Sequence, residues 1–254
     1  MKKINLAFYI NFNHKKWLGG LNIILNLANY LAENRKTLKH NFNIILISKD
    51  EKIKEDFNIS NKIKIIYNND LFQMSLWTRI FEKIHLFLFG KTLILEKFLK
   101  ENDINYLSHT DIATGKYSFC KSIVWIPDFQ YLHLPELFSF RYKLLKKINF
   151  FLYSMHAHKI VLSSDNARKD FKKISKIPSN KIFVSKFLFS IKSPKFLLDK
   201  NKLLKKYKIN NNYIFLPNQY WVHKNHLTVL KALKFLGKKN LEKYKIQIIS
   251  TGFN

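Results

Sequence analysis

Cysteine is almost absent. Cys120 is the only one in 254 residues, which excludes a disulfide framework and a thiolate metal cluster and fits a reducing compartment. Arginine is nearly as rare: Arg35, Arg79, Arg141 and Arg168 stand within a Lys+Arg total of 45 against 17 Asp+Glu, so the net charge of +28 is a lysine charge. Base-edge and bidentate phosphate readout favour arginine. Most of the excess is therefore set down to compositional bias and solvated lysine faces, with no specific nucleic-acid partner expected. The remainder suits an anionic membrane surface, where each nearby Lys contributes about 1 kcal/mol. Long apolar runs are missing too. The longest stretch free of Lys, Arg, Asp and Glu, positions 17–32, carries three Asn and falls short of the roughly 18 apolar residues of a spanning helix. The N-terminus has a charged start and a short apolar run, but Asn and His interrupt it and no small-residue cleavage site follows. It reads as a first strand, not a signal peptide.

What is present is core-building material: 47% hydrophobic and 15% aromatic residues with only 24% charged, the composition of a globular chain rather than a basic tail. The length suits one large domain or two small ones at roughly 100–200 residues each. Apolar β-forming runs predict strands at 4–10, 43–48, 62–67, 104–107, 122–126, 159–163 and 181–185. Helical spacing of apolar residues predicts helices at 21–32, 75–100 (with Gly90 inside it), 138–156 and 164–175. Strands alternating with helices predict an α/β fold, a Rossmann-type domain with a mostly parallel sheet. No internal repeat is visible.

A segment with Lys and Pro and no strong periodicity follows. The expected organisation is an N-terminal domain at 1–189, a linker at 190–199 and the start of a second Rossmann-like domain at 200–254. In the last part, helices are predicted at 200–208 and 223–236 and strands at 213–217 and 244–250.

In open parallel sheets ligands bind beyond the carboxyl ends of the strands, so the loops after the strands hold the candidate chemistry. The first ends on Gly19 and Gly20, two of only six glycines, which suits a backbone approaching a phosphate or sugar at a helix N-terminus or, equally, a tight strand-to-helix turn. The loop after 122–126 holds Asp128, Gln130, Tyr131, His133 and Glu136 between two prolines. Asp128 suits a sugar hydroxyl or a proton, and His133 suits donation to a hydroxyl or phosphate. A turn or cap residue, a core imidazole and a first-turn acid at Glu136 are the structural alternatives. The loop after 213–217 carries Asn218, Gln219, Trp221, His223, Lys224, Asn225 and His226 into a helix. A Lys among amide and imidazole donors there suits a pyrophosphate, although in this chain it is also one lysine among many.

Taken in order, the Gly19-Gly20 pair, the phrase IPDFQYLHLPELFS, the Ser163-Ser164 pair and the phrase LPNQYWVHKNHLTVLKAL resemble the family-4 (group 1) glycosyltransferases of the GT-B fold, over nearly the whole chain. The two long phrases carry most of that likeness; the glycine and serine pairs are weak. The resemblance implies two Rossmann-like domains, the N-terminal one taking the acceptor and the C-terminal one a nucleotide-diphosphate sugar. It implies transfer with retention to a bacterial surface glycan or lipid-linked acceptor, no metal and no cofactor beyond the donor. By the same resemblance Gly19 and Gly20 would lie near the donor phosphates or sugar and Asp128 and His133 around the transferred sugar, with Asn218, Gln219, Lys224 and Asn225 on the diphosphate. A cytoplasmic location, with peripheral contact on the inner membrane face, goes with it.

Two features depart from the family pattern. An Arg commonly precedes the Lys, and here Asn218 or Gln219 stands in its place, leaving phosphate neutralisation to Lys224. The Glu-x7-Glu element of the donor domain lies downstream of the HKN phrase in the family, and Asn254 is reached before it. A donor domain largely absent, and low or no activity of the chain alone, are the matching expectations. A non-catalytic binding module and a basic nucleic-acid-binding protein are the alternative readings. The 75–100 segment, with Trp77, Phe81, Phe87 and Phe89 among Arg79, Lys83 and Lys91, is read either as a core helix or as a contact for the membrane or a lipid-linked acceptor.

Overall fold

The computed structural model describes residues 3–10, 17–187, 199–209 and 212–252; positions 11–16 of the first expected loop and 190–198 of the expected linker lie outside the described residues. The chain divides into two compact units, Met1–Ser190 and Ile191–Asn254.

The first unit runs β1 (Ile4–Ile10), α1 (Leu18–Glu33), β2 (Phe42–Ser48), α2 (Ile53–Asp56), β3 (Lys64–Tyr67), α3 (Leu76–Phe89), α4 (Ile94–Glu101), β4 (Tyr106–Thr110), β5 (Lys121–Ile126), α5 (Gln130–His133), α6 (Phe140–His156), β6 (Lys159–Leu162), α7 (Asp165–Ile174) and β7 (Ile182–Val184). Its seven strands pair in parallel in the order β3-β2-β1-β4-β5-β6-β7. The α/β, Rossmann-like expectation therefore holds. Near-continuous apolar strands are what a parallel sheet covered on both faces requires. In β1, Leu6, Phe8 and Ile10 pack towards α1, through Leu21, Ile24 and Ala28, while Ala7 and Tyr9 face Leu95 and Leu99 of α4. Further along the sheet, Val124, Ile126, Ile160 and Leu162 meet Phe150 of α6 and Phe171 of α7.

Serine caps set several helix starts: the hydroxyls of Ser75, Ser139 and Ser164 accept from the backbone N–H of Thr78, Tyr142 and Ala167 at 3.1, 3.2 and 3.1 Å, each such cap being worth about 1 kcal/mol. Ser163, beside the last of these, accepts instead from the indole Nε1 of Trp125 at 2.9 Å.

The single helix expected at 75–100 is two helices. Gly90 ends α3 in the left-handed region at φ 66°, a conformation that glycine adopts without steric cost. The chain then doubles back so tightly that a Cβ on Gly115 would lie 2.2 Å from the Gly90 carbonyl oxygen. The buried carboxylate of Glu82 in α3 accepts from the N–H groups of Leu93 and Ile94 at 3.1 Å, supplying the first turn of α4 with the partners its orphan donors need. Strand β4 also runs further than the expected 104–107, through polar Ser108, His109 and Thr110.

The second unit contains α8 (Lys200–Lys206), β8 (Tyr213–Leu216), α9 (His226–Lys243) and β9 (Gln247–Ser250). Strands β8 and β9 pair in parallel, and α9 is kinked at Gly237, φ 75°.

Candidate functional site

The order β2-β1-β4 makes the gap between β1 and β4 the point where chain progression across the sheet reverses, the place where open parallel sheets bind their ligands. A cavity of about 300 Å³ lies there. Tyr9 from β1, His109 and Thr110 from β4 and Trp125 from β5 line it, together with Asp111, Pro127 and Asp128 just past the strand ends. Tyr131, Tyr142 and Lys146 from α5 and α6 face it from the side.

Three of these positions follow from local geometry. His109 has φ 49°, and the pairing of β4 with β5 slips between Ser108 and Thr110. Such a bulge re-aims side chains at a sheet rim. The ring packs 6.0 Å from Phe8 and 5.7 Å from Trp125, and its Nδ1 hydrogen-bonds Ser108 Oγ at 2.9 Å. Burial pushes its pKa down to about 4, so the imidazole is neutral at physiological pH. Trp125 in turn stacks on Trp17 at 5.7 Å, and Trp17 lies over Gly20. A Cβ on Gly20 would fall 2.5 Å from the indole ring.

That contact accounts for Gly20: both glycines lie inside the first turn of α1 rather than before it, Gly20 buried against Trp17 and Gly19 exposed with no atom within 4 Å of an added Cβ. The helix starts earlier than 21–32 because the bare Gly20 backbone lets Trp17 fold back onto it.

Asp128 reaches the cavity, and its Oδ1 also accepts from the Gln130 backbone N–H at 3.3 Å, a turn just ahead of the short helix α5, whose N-cap residue is Phe129. His133 is not among the residues lining the cavity. At the end of α5 its Nε2 lies 2.6 Å from Asp170 Oδ2 in α7, and its side chain is 62% exposed. The hydrogen bond from His133, followed by that from Lys173, holds the Asp170 carboxyl below the usual carboxylate range. Asp128 and His133, five residues apart in sequence, thus serve different surroundings.

A second cavity, about 270 Å³, backs onto the first and shares Tyr9 and Asp111 with it. It lies between α3 and α6. Lys83 Nζ donates to Asn149 Oδ1 at 2.8 Å across it; burial lowers the Lys83 pKa and the Asp111 charge opposes that. The Tyr153 hydroxyl donates to the Asp111 carbonyl. Burial, and then Asp111, raise the pKa of Tyr9 and Tyr153, so both remain protonated donors. Tyr9, Trp17, His109, Asp111 and Trp125 were not foreseen as site residues, and Lys83 was named only within the 75–100 segment as a membrane or lipid-linked-acceptor contact; the one local signal was the polar phrase SHTD at a strand end.

In the second unit, Asn218, Gln219, Lys224 and Asn225 lie on the chain between β8 and α9. Lys224 closes a 3-10 turn, Val222–Lys224, and Asn225 at φ 54° caps α9. The Asn225 Oδ1 accepts from Thr228 Oγ1 at 2.9 Å. After β9, a Cβ on Gly252 would lie 2.4 Å from the Asn218 carbonyl oxygen, so the two strand-end loops of this unit touch backbone to backbone. Among the described residues no group of three or more His, Cys, Asp and Glu sits together in a way that could hold a metal. Cys120 is buried, and burial, reinforced by Glu96, raises its thiol pKa.

No protein-family model and no curated protein sequence matches the chain. Solved structures do share its fold. Anabaena HepE (Alr3699) in complex with UDP-glucose aligns over 99% of this chain and 69% of its own, at 14% identity and a TM-score of 0.58. The same protein with UDP and glucose aligns over 99% and 70%, at 13% identity and a TM-score of 0.58. The UDP-GlcNAc 2-epimerase of Neisseria meningitidis bound to UDP-GlcNAc aligns over 98% and 65%, at 12% identity and a TM-score of 0.54. At such identities the likeness is one of fold, and the fold is the Rossmann-like GT-B type.

Proposed function

We propose that the chain belongs to a glycosyltransferase of the family-4 kind, transferring a sugar with retention from a nucleotide-diphosphate sugar to a bacterial surface glycan or lipid-linked acceptor on the cytoplasmic side, without a metal. The observation that carries this reading is the cavity at the β1/β4 switch point, walled by Trp17 and Trp125 and edged by Asp111 and Asp128, on a fold shared with a protein solved in complex with UDP-glucose. Aromatic faces suit the C–H surface of a sugar ring and carboxylates its hydroxyls.

In this mechanism Asp128 and Asp111 accept hydrogen bonds from sugar or acceptor hydroxyls, and neutral His109 donates or accepts one without adding charge. His133 acts from outside the cavity lining, anchored on Asp170 and holding α5 and so Asp128 in place. Lys224, with the amides of Asn218, Gln219 and Asn225, neutralises the departing diphosphate, where preorganised donors act on charge as it develops. Gly19 leaves the first turn of α1 open to the donor, while Gly20 acts through Trp17.

The test is turnover of UDP- and GDP-sugars by the full chain, read as nucleotide release and by the melting shift each ligand induces. Asp128→Asn and Lys224→Ala are each expected to shrink the ligand-induced melting shift and to lower any nucleotide release that accompanies it. Absence of both turnover and any melting shift would refute the assignment. Conversion of one nucleotide sugar to another without nucleotide release would place the chain with the epimerase that shares its fold.

A further inference from the structure

The proposed sugar transfer leaves the second cavity without a role, yet its walls are those of a ligand site. Leu71, Met74, Leu86, Leu95 and Leu152 line it with apolar surface, and its volume is about 270 Å³, near the small end of ligand pockets at roughly 300–1,000 Å³. Arg79 and Lys83, four positions apart and so neighbours on one side of α3, both face it. Among the described residues neither forms an ion pair. Arg79 donates to the Phe72 carbonyl oxygen at 3.1 Å and Lys83 to Asn149 Oδ1 at 2.8 Å, and each keeps further N–H groups for a ligand. Burial lowers the Lys83 pKa, a cost to its charged form that an anion alongside offsets.

A second unmet need lies past the C-terminal end of α3. Thr92 lines the same cavity and is 4% exposed. Its backbone N–H donates to the Thr114 carbonyl oxygen at 3.1 Å, but its buried Oγ1 has no hydrogen-bond partner among the described residues. A buried hydroxyl without a partner burdens the fold. The cavity thus offers a pair of cations, an apolar wall and, apart from the cations, a hydroxyl able to donate or accept. Its acids limit the charge it takes. Glu82 is bound to the Leu93 and Ile94 N–H groups, and Asp111, at the rim shared with the first cavity, acts on Lys83. Two carboxylates facing two cations tolerate one further negative charge on the α3 side and repel a second. A carboxylate therefore fits better than a phosphate monoester, whose charge is about −1.5 to −2.

We propose that the second cavity binds a small hydroxycarboxylic acid with an apolar body. Lys83 and Arg79 hold its carboxylate by charge-assisted hydrogen bonds, the leucine wall takes its body, and its hydroxyl pairs with Thr92 Oγ1. The site goes beyond the nucleotide-sugar reading and does not rest on it, since its test uses no sugar and no turnover.

The experiment is calorimetric titration and thermal melting of the full chain with two scaffolds, each with and without the hydroxyl: 6-hydroxyhexanoate against hexanoate, and 3-(4-hydroxyphenyl)propionate against 3-phenylpropionate. At least one hydroxy acid is expected to raise the melt saturably and to bind about fivefold more tightly than its plain counterpart. Its amide is expected to bind on the order of tenfold less tightly, and Lys83→Met to weaken the acid by a similar factor. Thr92→Val is expected to remove the advantage of the hydroxyl while the empty variant melts no lower than the wild type, because the change deletes an unpartnered group. Absence of binding by all four acids overturns the proposal, as does equal binding of acid and amide or affinity that Lys83→Met leaves unchanged. So does a hydroxyl advantage that survives Thr92→Val, or an empty Thr92→Val protein that melts lower, which would give that hydroxyl a structural role.

Discussion

The neutral histidine at the rim of the switch-point cavity makes stability depend on pH in a calculable way. Burial lowers the pKa of His109 from 6.5 to about 4. In the unfolded chain the ring takes up its proton near its ordinary value, whereas in the folded protein it stays neutral until much lower pH. Its contribution is therefore fully present above about pH 6.5 and is lost as pH falls towards about 4. The whole shift corresponds to about 3 kcal/mol, of which about 2 kcal/mol has gone by about pH 5. His156 and His158, whose pKa values burial and nearby lysines also lower, act in the same direction, so the wild-type slope alone does not isolate His109. His109→Asn does. Asn tolerates the φ of 49° at this position and does not titrate. Urea unfolding of the two proteins at about pH 7.5 and about pH 5 should show the wild type losing about 2 kcal/mol more than the variant between the two conditions. Equal losses would show that His109 protonates in the folded protein near its ordinary pKa, and would refute its neutral role in the cavity.

The glycine pair offers a contrast of opposite signs. Gly20→Ala drives a methyl into the Trp17 ring, 2.5 Å from where a Cβ would sit, and should cost about 1–3 kcal/mol of unfolding free energy. Gly19→Ala meets open space inside a helix and should be neutral or stabilise by up to about 1 kcal/mol. Denaturant melts of both variants check this, and Trp17 emission should shift only in the first. Glu82→Ala leaves the Leu93 and Ile94 N–H groups without their carboxylate partner and should destabilise by about 1–3 kcal/mol. Hydrogen exchange should show the first turn of α4 opening first, and exchange unchanged there would refute the capping role.

Strands β1, β2, β5 and β6 were legible because a strand buried on both faces is a short run of Ile, Leu, Val and Phe, with nothing else in the chain competing for that pattern. The helix α7 was legible because Ser164 announces it. What could not be read was whatever depends on contacts distant in sequence. The break at Gly90 is stabilised by Gly115, 25 positions on, and by a carboxylate from the preceding helix capping the next one. Without those partners the apolar spacing of 75–100 reads as one helix. Gly19 and Gly20 carry the same sequence signature whether a phosphate or an indole ring approaches the backbone, and only the position of Trp17 distinguishes them. His133 stood beside Asp128 in sequence, yet the one turn of α5 sends it to Asp170 in α7. The His109-Thr110-Asp111 rim was hidden for a different reason: a polar stretch looks like a loop unless a neighbouring strand, here β5, extends the ladder through it.

The net charge of +28 acquires meaning through placement. Along α4, α7 and α9, basic residues sit three or four positions from acids and pair with them: Lys100 with Glu96 at 3.4 Å, Arg168 with Asp165 at 2.7 Å, Lys173 with Asp170 at 3.3 Å, Lys238 with Glu242 at 3.6 Å. Such exposed pairs add little stability, and they balance only α4: α7 keeps four cations to two acids and α9 five lysines to one Glu. Helix α6 has no acid of its own, and the acid of α3 is committed to the backbone of α4. Helix α8 likewise has four lysines and no acid among its residues, so among the described helices the unbalanced lysines gather on α6, α8 and α9 rather than being spread evenly.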